Sequence, residues 1–339
     1  MKKLSLLLLL VLCTLSVFAQ STSDSSSIYA WRISERLGVI TPASVDTAVL
    51  NFQNNNPIDR YSIANSYNGN LGSPLQSKLY FNRTAKSDFL FSHPYDAYFM
   101  APSDRLFYNT KIPYVNLTYL TGGPTGLDED YFKALISMNV NKRLNFSGFI
   151  DYMNAMGLYD HQSSGQLNGG VFGSYIGKHY SAHGIFSYNN YNNFENGGIR
   201  DDADLGQYES QNIPVRISDA GANYQNIYFY YNQKYTLGFE KKTTINKDSI
   251  QSEYIPVTTF AHTLKYEDAY KRYVEGSIPA GFYADNFLSD VATNDSVRQM
   301  LLRNTLSVSL NEEYNRLLRF GLTAFAEHDL NRYYYLKET

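Results

Sequence analysis

The chain has 339 residues, among them 31 Tyr, 20 Phe and one Trp, and a formal net charge of −3. The charge becomes −5 once Lys2 and Lys3 are set aside with the leader described below, so the basic footprint of a nucleic-acid binder is missing. No nucleotide-binding glycine loop, HExxH pair or Cys/His cluster occurs, which leaves nucleotide and zinc enzymes, and resident cofactors generally, without support.

Residues 1–19 read as an export signal: Lys2 and Lys3, an apolar stretch from Leu4 to Phe18, then the small Ala19. This stretch is too short for a retained spanning helix, and nothing later approaches the roughly 18 apolar residues such a helix needs. Cys13, the only cysteine, lies in this leader, so the exported chain has no disulfide or thiolate chemistry. Leu12 stands where a lipid-attachment signal wants a small residue, which disfavours lipidation. Residues 20–109 form one irregular unit, read as a periplasmic or plug-like segment. It opens with a Ser/Thr-rich tether to residue 27 and has turn signals at Asn54-Asn55-Asn56-Pro57, Asn68-Gly69 and Gly72-Ser73-Pro74. Short strands are expected within it at Ser77–Arg83 and Tyr95–Met100.

From residue 110 to 339 the pattern is strictly alternating. Val115, Leu117 and Tyr119 share one face against Asn116 and Thr118. Phe132, Ala134, Ile136, Met138 and Val140 oppose Lys133, Ser137 and Asn139. After the polar turn Asn141-Lys142-Arg143, Leu144, Phe146, Gly148, Ile150 and Tyr152 run back against Asn145, Ser147 and Asp151. Two runs of about ten residues joined by a tight turn are the hairpin unit of a membrane barrel. Further strands are expected at Leu167–Ile176, Tyr180–Asn190, Asn223–Glu240, Pro256–Tyr266, Asp268–Glu275, Asn304–Glu312 and Leu317–Glu327, about ten in all. Short links (Gly177-Lys178-His179, Glu313-Tyr314-Asn315-Arg316) and long ones (Tyr191 to Ala222, Gly276 to Arg303) fall at opposite rims. That asymmetry places the short turns in the periplasm and the long loops outside the cell. The tail from Asn331 to Thr339 offers no closing strand. An open strand edge is untenable in lipid, so the expected fold is an all-β, antiparallel transmembrane β-barrel of outer-membrane type, incomplete in this chain.

Several stretches together resemble the putative porin family of Bacteroidetes-type bacteria. They are Asn70-Leu71-Gly72-Ser73-Pro74, Phe107 through Tyr114, Tyr119 through Gly122-Gly123, Asn139 through Asn145, Ser174 through Tyr180, and Asn196-Gly197-Gly198-Ile199. The resemblance runs from about Asp46 to Asp204 and onward by continuity. It implies a Gram-negative outer-membrane β-barrel annotated in that family as a porin, and a member longer than this chain; the family supplies no catalytic residues.

The expected function is passive diffusion of small hydrophilic solutes, with outer-membrane lipids as the other partner; no number of subunits follows from the residues. Leu117, Phe132, Ile136, Phe146, Ile150 and Leu306 would face lipid, while Asn116, Thr118, Lys133, Ser137, Asn145, Ser147 and Asp151 line the pore. On that alternation an arginine at Ser137 should be tolerated. Two other classes stay in view. Asp160-His161-Gln162-Ser163-Ser164-Gly165 resembles the His-Gln-Ser-Asn-Gly motif of outer-membrane phospholipase A. In that motif the His and Ser, two apart on a strand, share a face; Ser164 and Tyr175 depart from the pattern. A sealed structural or assembly barrel is the other. His179 and His183, four apart on a strand, are separated by roughly 13 Å, too far to share an ion, and are read as wall residues. Asp201, Asp202 and Asp204 could hold Ca²⁺ in a loop, although a solvated acidic loop is the default. Arg200, Arg216 and Lys178 could face these acids across the lumen.

Overall fold

The computed structural model describes residues 28–45, 56–83, 85–122, 128–246, 249–285, 289–311 and 321–337. The leader, the whole tether, the Glu313–Arg316 link and the start of the expected strand at Leu317 lie outside them. Nine strands form one antiparallel sheet in which every strand pairs with its neighbours in sequence. They are β6 (Tyr114–Gly122), β7 (Glu129–Asn139), β8 (Leu144–Met156), β9 (Ser163–Ile176), β10 (Tyr180–Glu195), β11 (Ala220–Asn246), β12 (Ser249–Glu275), β13 (Thr293–Leu310) and β14 (Leu322–Lys337). Among the described residues, the edge strands β6 and β14 do not pair with each other, so the sheet is not closed.

The preceding segment builds a three-stranded sheet, β2 (Ile40–Ala43), β1 (Ile28–Ile33) and β5 (Phe107–Thr110), and a small pair, β3 (Asn65–Tyr67) with β4 (Leu75–Ser77). A single helical turn, α1 (Pro57–Tyr61), starts where the Asn56 side chain accepts from the Ile58 amide, with Pro57 at the position that needs no N–H. Of the strands expected at Ser77–Arg83 and Tyr95–Met100, the first holds a 3₁₀ turn at Tyr80–Asn82 after β4 ends at Ser77, and the second is a turn that follows the 3₁₀ turn Leu90–Tyr95. Both stretches lack the period-2 alternation that a half-buried strand needs.

Alternation decides the large sheet. The register joins Val115, Ile136, Gly148, Val171, Phe186, Phe229, Tyr266, Leu302 and Leu330 into one row across all nine strands, and every member lies on the outward face. The first outward polar residue beyond that row, toward the long loops, comes six residues along on β7 and β8 (Asp130, Asn154). On β10, β11 and β13 it comes after four (Asn190, Gln225, Arg298), and on β12 and β14 after two (Asp268, Arg332). The apolar belt therefore slopes across the strands, as it must where strands tilt relative to a planar apolar layer.

Three expectations are corrected. Pro256–Tyr266 and Asp268–Glu275 are one strand, because Glu267 does not interrupt it: its carboxylate lies on the inner face 3.0 Å from the Lys265 ammonium, two residues back on the same face. With these merged, the large sheet has nine described strands instead of ten. β13 begins at Thr293, inside the expected loop, since Arg298 forks onto the Asp268 carboxylate of β12 at 2.8 and 2.6 Å. β14 continues to Lys337, with Arg303 of β13 gripping Asp329 at 2.8 Å. In the last two cases charges that read as a break are paired sideways with the next strand.

Of the residues expected to face lipid, Ile136, Phe146, Ile150 and Leu306 are exposed on the outer face, as is Leu117 on the edge strand. In a bilayer, Ile136→Arg should cost about 2–4 kcal/mol, read as a fall in the denaturant midpoint of folded protein. No loss would remove the membrane assignment of that face.

Candidate functional site

The inner face of the sheet is not open space; the segment of residues 28–110 is packed against it, touching all nine strands. On β6, Tyr114 lies against Tyr108 with ring centroids 5.4 Å apart. On β7, Glu129 accepts from the Leu71 amide at 3.1 Å. On β8, the Phe149 ring carries the Arg105 guanidinium at 3.7 Å. Ser164 of β9 takes a 2.7 Å hydrogen bond from Asn70 Nδ2, and His183 of β10 takes one from Trp31 Nε1 at 3.1 Å. Tyr228 and Tyr230 of β11 donate to the carbonyls of Met100 and Glu35, both at 3.0 Å. Ser87 donates to Glu267 of β12 at 2.6 Å, Asp88 pairs with Arg303 of β13 at 3.2 Å, and Arg36 forks onto Glu327 of β14 at 2.9 Å.

Two apolar clusters fill the space between. One joins Trp31, Phe99 and Phe107 of the segment to Phe172, Ile185, Tyr228 and Tyr230 of the sheet. The other joins Phe89, Tyr95 and Tyr98 to Tyr131, Met153, Tyr191 and Tyr224. Gly72 sits at a close approach: its φ of +81° is left-handed, and a Cβ there would meet Met153 Sδ at 3.1 Å. One buried charge cluster crosses the boundary. Lys265, 3% exposed, holds Glu35 of the segment at 2.7 Å and Glu267, itself 2% exposed, at 3.0 Å.

The residues expected to line a pore all lie on this inner face. Asn116 and Thr118 are half-buried on the edge strand. Ser137, Asn145 and Ser147 are buried and bonded to one another, with Ser147 Oγ donating to Ser137 Oγ at 2.9 Å. Lys133 lies 3.9 Å from Asp151. Because Ser137 is completely covered, an arginine there has no room, contrary to what alternation alone implies.

The other candidates come apart. His161 is in the turn between β8 and β9 with φ +52°, not on a strand, and its Nδ1 faces Asp160 Oδ2 at 2.9 Å. The strand geometry that would put it on one face with Ser163, the first residue of β9, is therefore lost. His179 is likewise in a turn, edge-on to Tyr254, while His183 is on the inner wall. Asp201 caps the 3₁₀ turn Asp202–Asp204 by accepting from the Ala203 amide at 2.9 Å. Among the described residues, no group of three or more His, Cys, Asp or Glu could hold a metal ion. Lys178 pairs with Glu240, and the Arg216 guanidinium donates to the Ile199 carbonyl, so neither faces those acids.

Trp31, Glu35, Arg36, Asp88 and Arg105 escaped the sequence reading because the segment has no periodicity. A signal did exist in the wall, where Lys265, Glu267 and Arg303 place charges at inward positions.

Lys265→Met should destabilise the fold by about 3–5 kcal/mol, since it leaves Glu267 buried without its counter-ion. Adding Glu267→Gln should recover part of that loss in chemical unfolding, and a strictly additive double variant would refute the coupling. Within the segment, burial pushes the Asp96 carboxyl up to about 6, with His93 and Lys86 nearby opposing. A carboxyl raised above its unfolded value of 3.8 favours the folded state at low pH, and that contribution is lost as pH rises through 6. Wild type should gain stability relative to Asp96→Asn between pH 7 and pH 4, followed by Trp31 emission; a constant difference would contradict the burial.

A model of the family described as putative porin matches residues 27–339. Among curated proteins and among solved structures, nothing matches the chain.

Proposed function

This chain belongs to the putative porin family, and on that premise we propose that it forms the wall of an outer-membrane porin passing small hydrophilic solutes by passive diffusion, with its own N-terminal segment as the plug. The observation that carries this reading is the pairing of opposites across one sheet. The outward row is apolar on all nine strands, while the inner face bears Asn145, Ser147, Asp151, Asn168, Asn189 and Asn226. Hydrocarbon is the medium that suits the first face, and hydrated or hydrogen-bonding contents suit the second. Solutes are sorted by the space the segment leaves and by fixed charge such as the Lys133–Asp151 pair.

The packed inner face also favours a second reading, a sealed barrel that serves as a structural or assembly element. One experiment separates the two. Asn70→Cys/Ser164→Cys bridges the segment to β9, where the native side chains are 2.7 Å apart, and no other cysteine follows Cys13. In planar bilayers the reduced protein should conduct and the oxidised protein should not. Silence in both states favours the sealed barrel, and equal conductance in both removes the plug.

A further inference from the structure

The inner wall is richer in aromatic rings than a simple aqueous channel requires, and the rings are organised. On β9, β10 and β11 two rows run side by side in register: Gln166, Tyr191, Tyr224 and Asn168, Asn189, Asn226. Tyr191 and Tyr224 are direct cross-strand partners whose rings stack at 5.5 Å with 14° between their planes. Tyr95 of the segment lies against both, at 5.0 and 5.4 Å. Its hydroxyl accepts from Asn193 Nδ2 at 2.9 Å and from the Lys271 ammonium at 3.2 Å. Tyr95 thus presents to the wall a flat apolar body with a hydroxyl at its edge.

Beside this platform the amide oxygens of Gln166, Asn168 and Asn193 are buried without a donor. A buried acceptor left without a donor is costly, so the surface is complementary to a ligand bringing hydroxyl donors. An alkyl solute would leave those oxygens unpaired, and an anion would face them directly. An organic cation suits aromatic faces, but here it would meet Lys271, the cross-strand partner of Tyr224. A sugar ring meets all three demands: its C–H face rests on the electron-rich face of a tyrosine while its hydroxyls donate at the edge.

We propose that the solute accepted by this wall is a carbohydrate, whose pyranose ring takes the place of Tyr95 on Tyr191 and Tyr224 when the segment gives way. The assignment rests on the porin reading above and narrows its substrate class. The test uses the full chain in planar bilayers, with maltohexaose as probe and polyethylene glycol of similar size and choline as controls. Maltohexaose should interrupt the ion current at concentrations where both controls do not. Tyr224→Leu should raise its half-blocking concentration by roughly tenfold, and Tyr224→Phe, which keeps the ring, should not. Independently of conductance, maltohexaose should shift the emission of Trp31, the lone tryptophan, which the segment places against His183 of the wall. Equal interruption by sugar and polyethylene glycol, interruption by choline instead, or an unmoved Trp31 emission would overturn the carbohydrate assignment and leave the porin standing. A folded protein with no current at all would overturn the porin reading, and this assignment with it.

Discussion

A strand that alternates apolar and polar residues cannot satisfy both sides in the same medium. Nine such strands laid edge to edge multiply the problem, because register carries every outward residue to one surface and every inward residue to the other. The outer surface, with Phe146, Phe186, Phe229 and Leu306 exposed, needs an apolar surrounding. The inner surface needs partners for Asn, Ser, Tyr and charged side chains. The segment of residues 28–110 supplies them, and it can reach β6 and β14 alike only if the sheet curves around it.

The filling is mixed in character. Stacked rings and a tryptophan provide apolar area, while Glu35, Arg36 and Asp88 each end on a counter-charge in the wall. Of these pairs only Glu35–Lys265 is buried, so breaking it is costly, while the exposed Arg36–Glu327 and Asp88–Arg303 pairs add little stability; together they fix where the segment sits more than how tightly it is held. The unpaired amide oxygens show the other side of that balance: the wall keeps hydrogen-bonding capacity that the segment does not use.

Much of this was legible in the residues. The hairpin from Phe132 to Tyr152 and the turns at 141–143 and 177–179 follow directly from alternation and turn chemistry, and the face assignments of Ile136 and Asn145 follow with them. Strand ends were less legible, because Arg298 and Asp329 read as polar interruptions until the register shows each beside an opposite charge on the next strand. Such pairs are lateral, and a single chain read lengthwise carries no record of its neighbours. The segment was least legible. Its order comes from contacts with strands far along the chain, so no local period marks Trp31 or Tyr95.

The separation of those contacts along the chain bears on assembly. Within the wall, every strand pairs with one close by in sequence, so hairpins can form in succession at small loop-closure cost. The segment's contacts are of another kind: Trp31 meets His183 across 152 positions and Arg36 meets Glu327 across 291. A filling that precedes the wall in the chain but is paired with β14 stays incompletely held until β14 arrives. The rate of reaching the final state is thereby set by the entropy of the longest closure and not by the pairing of any one hairpin.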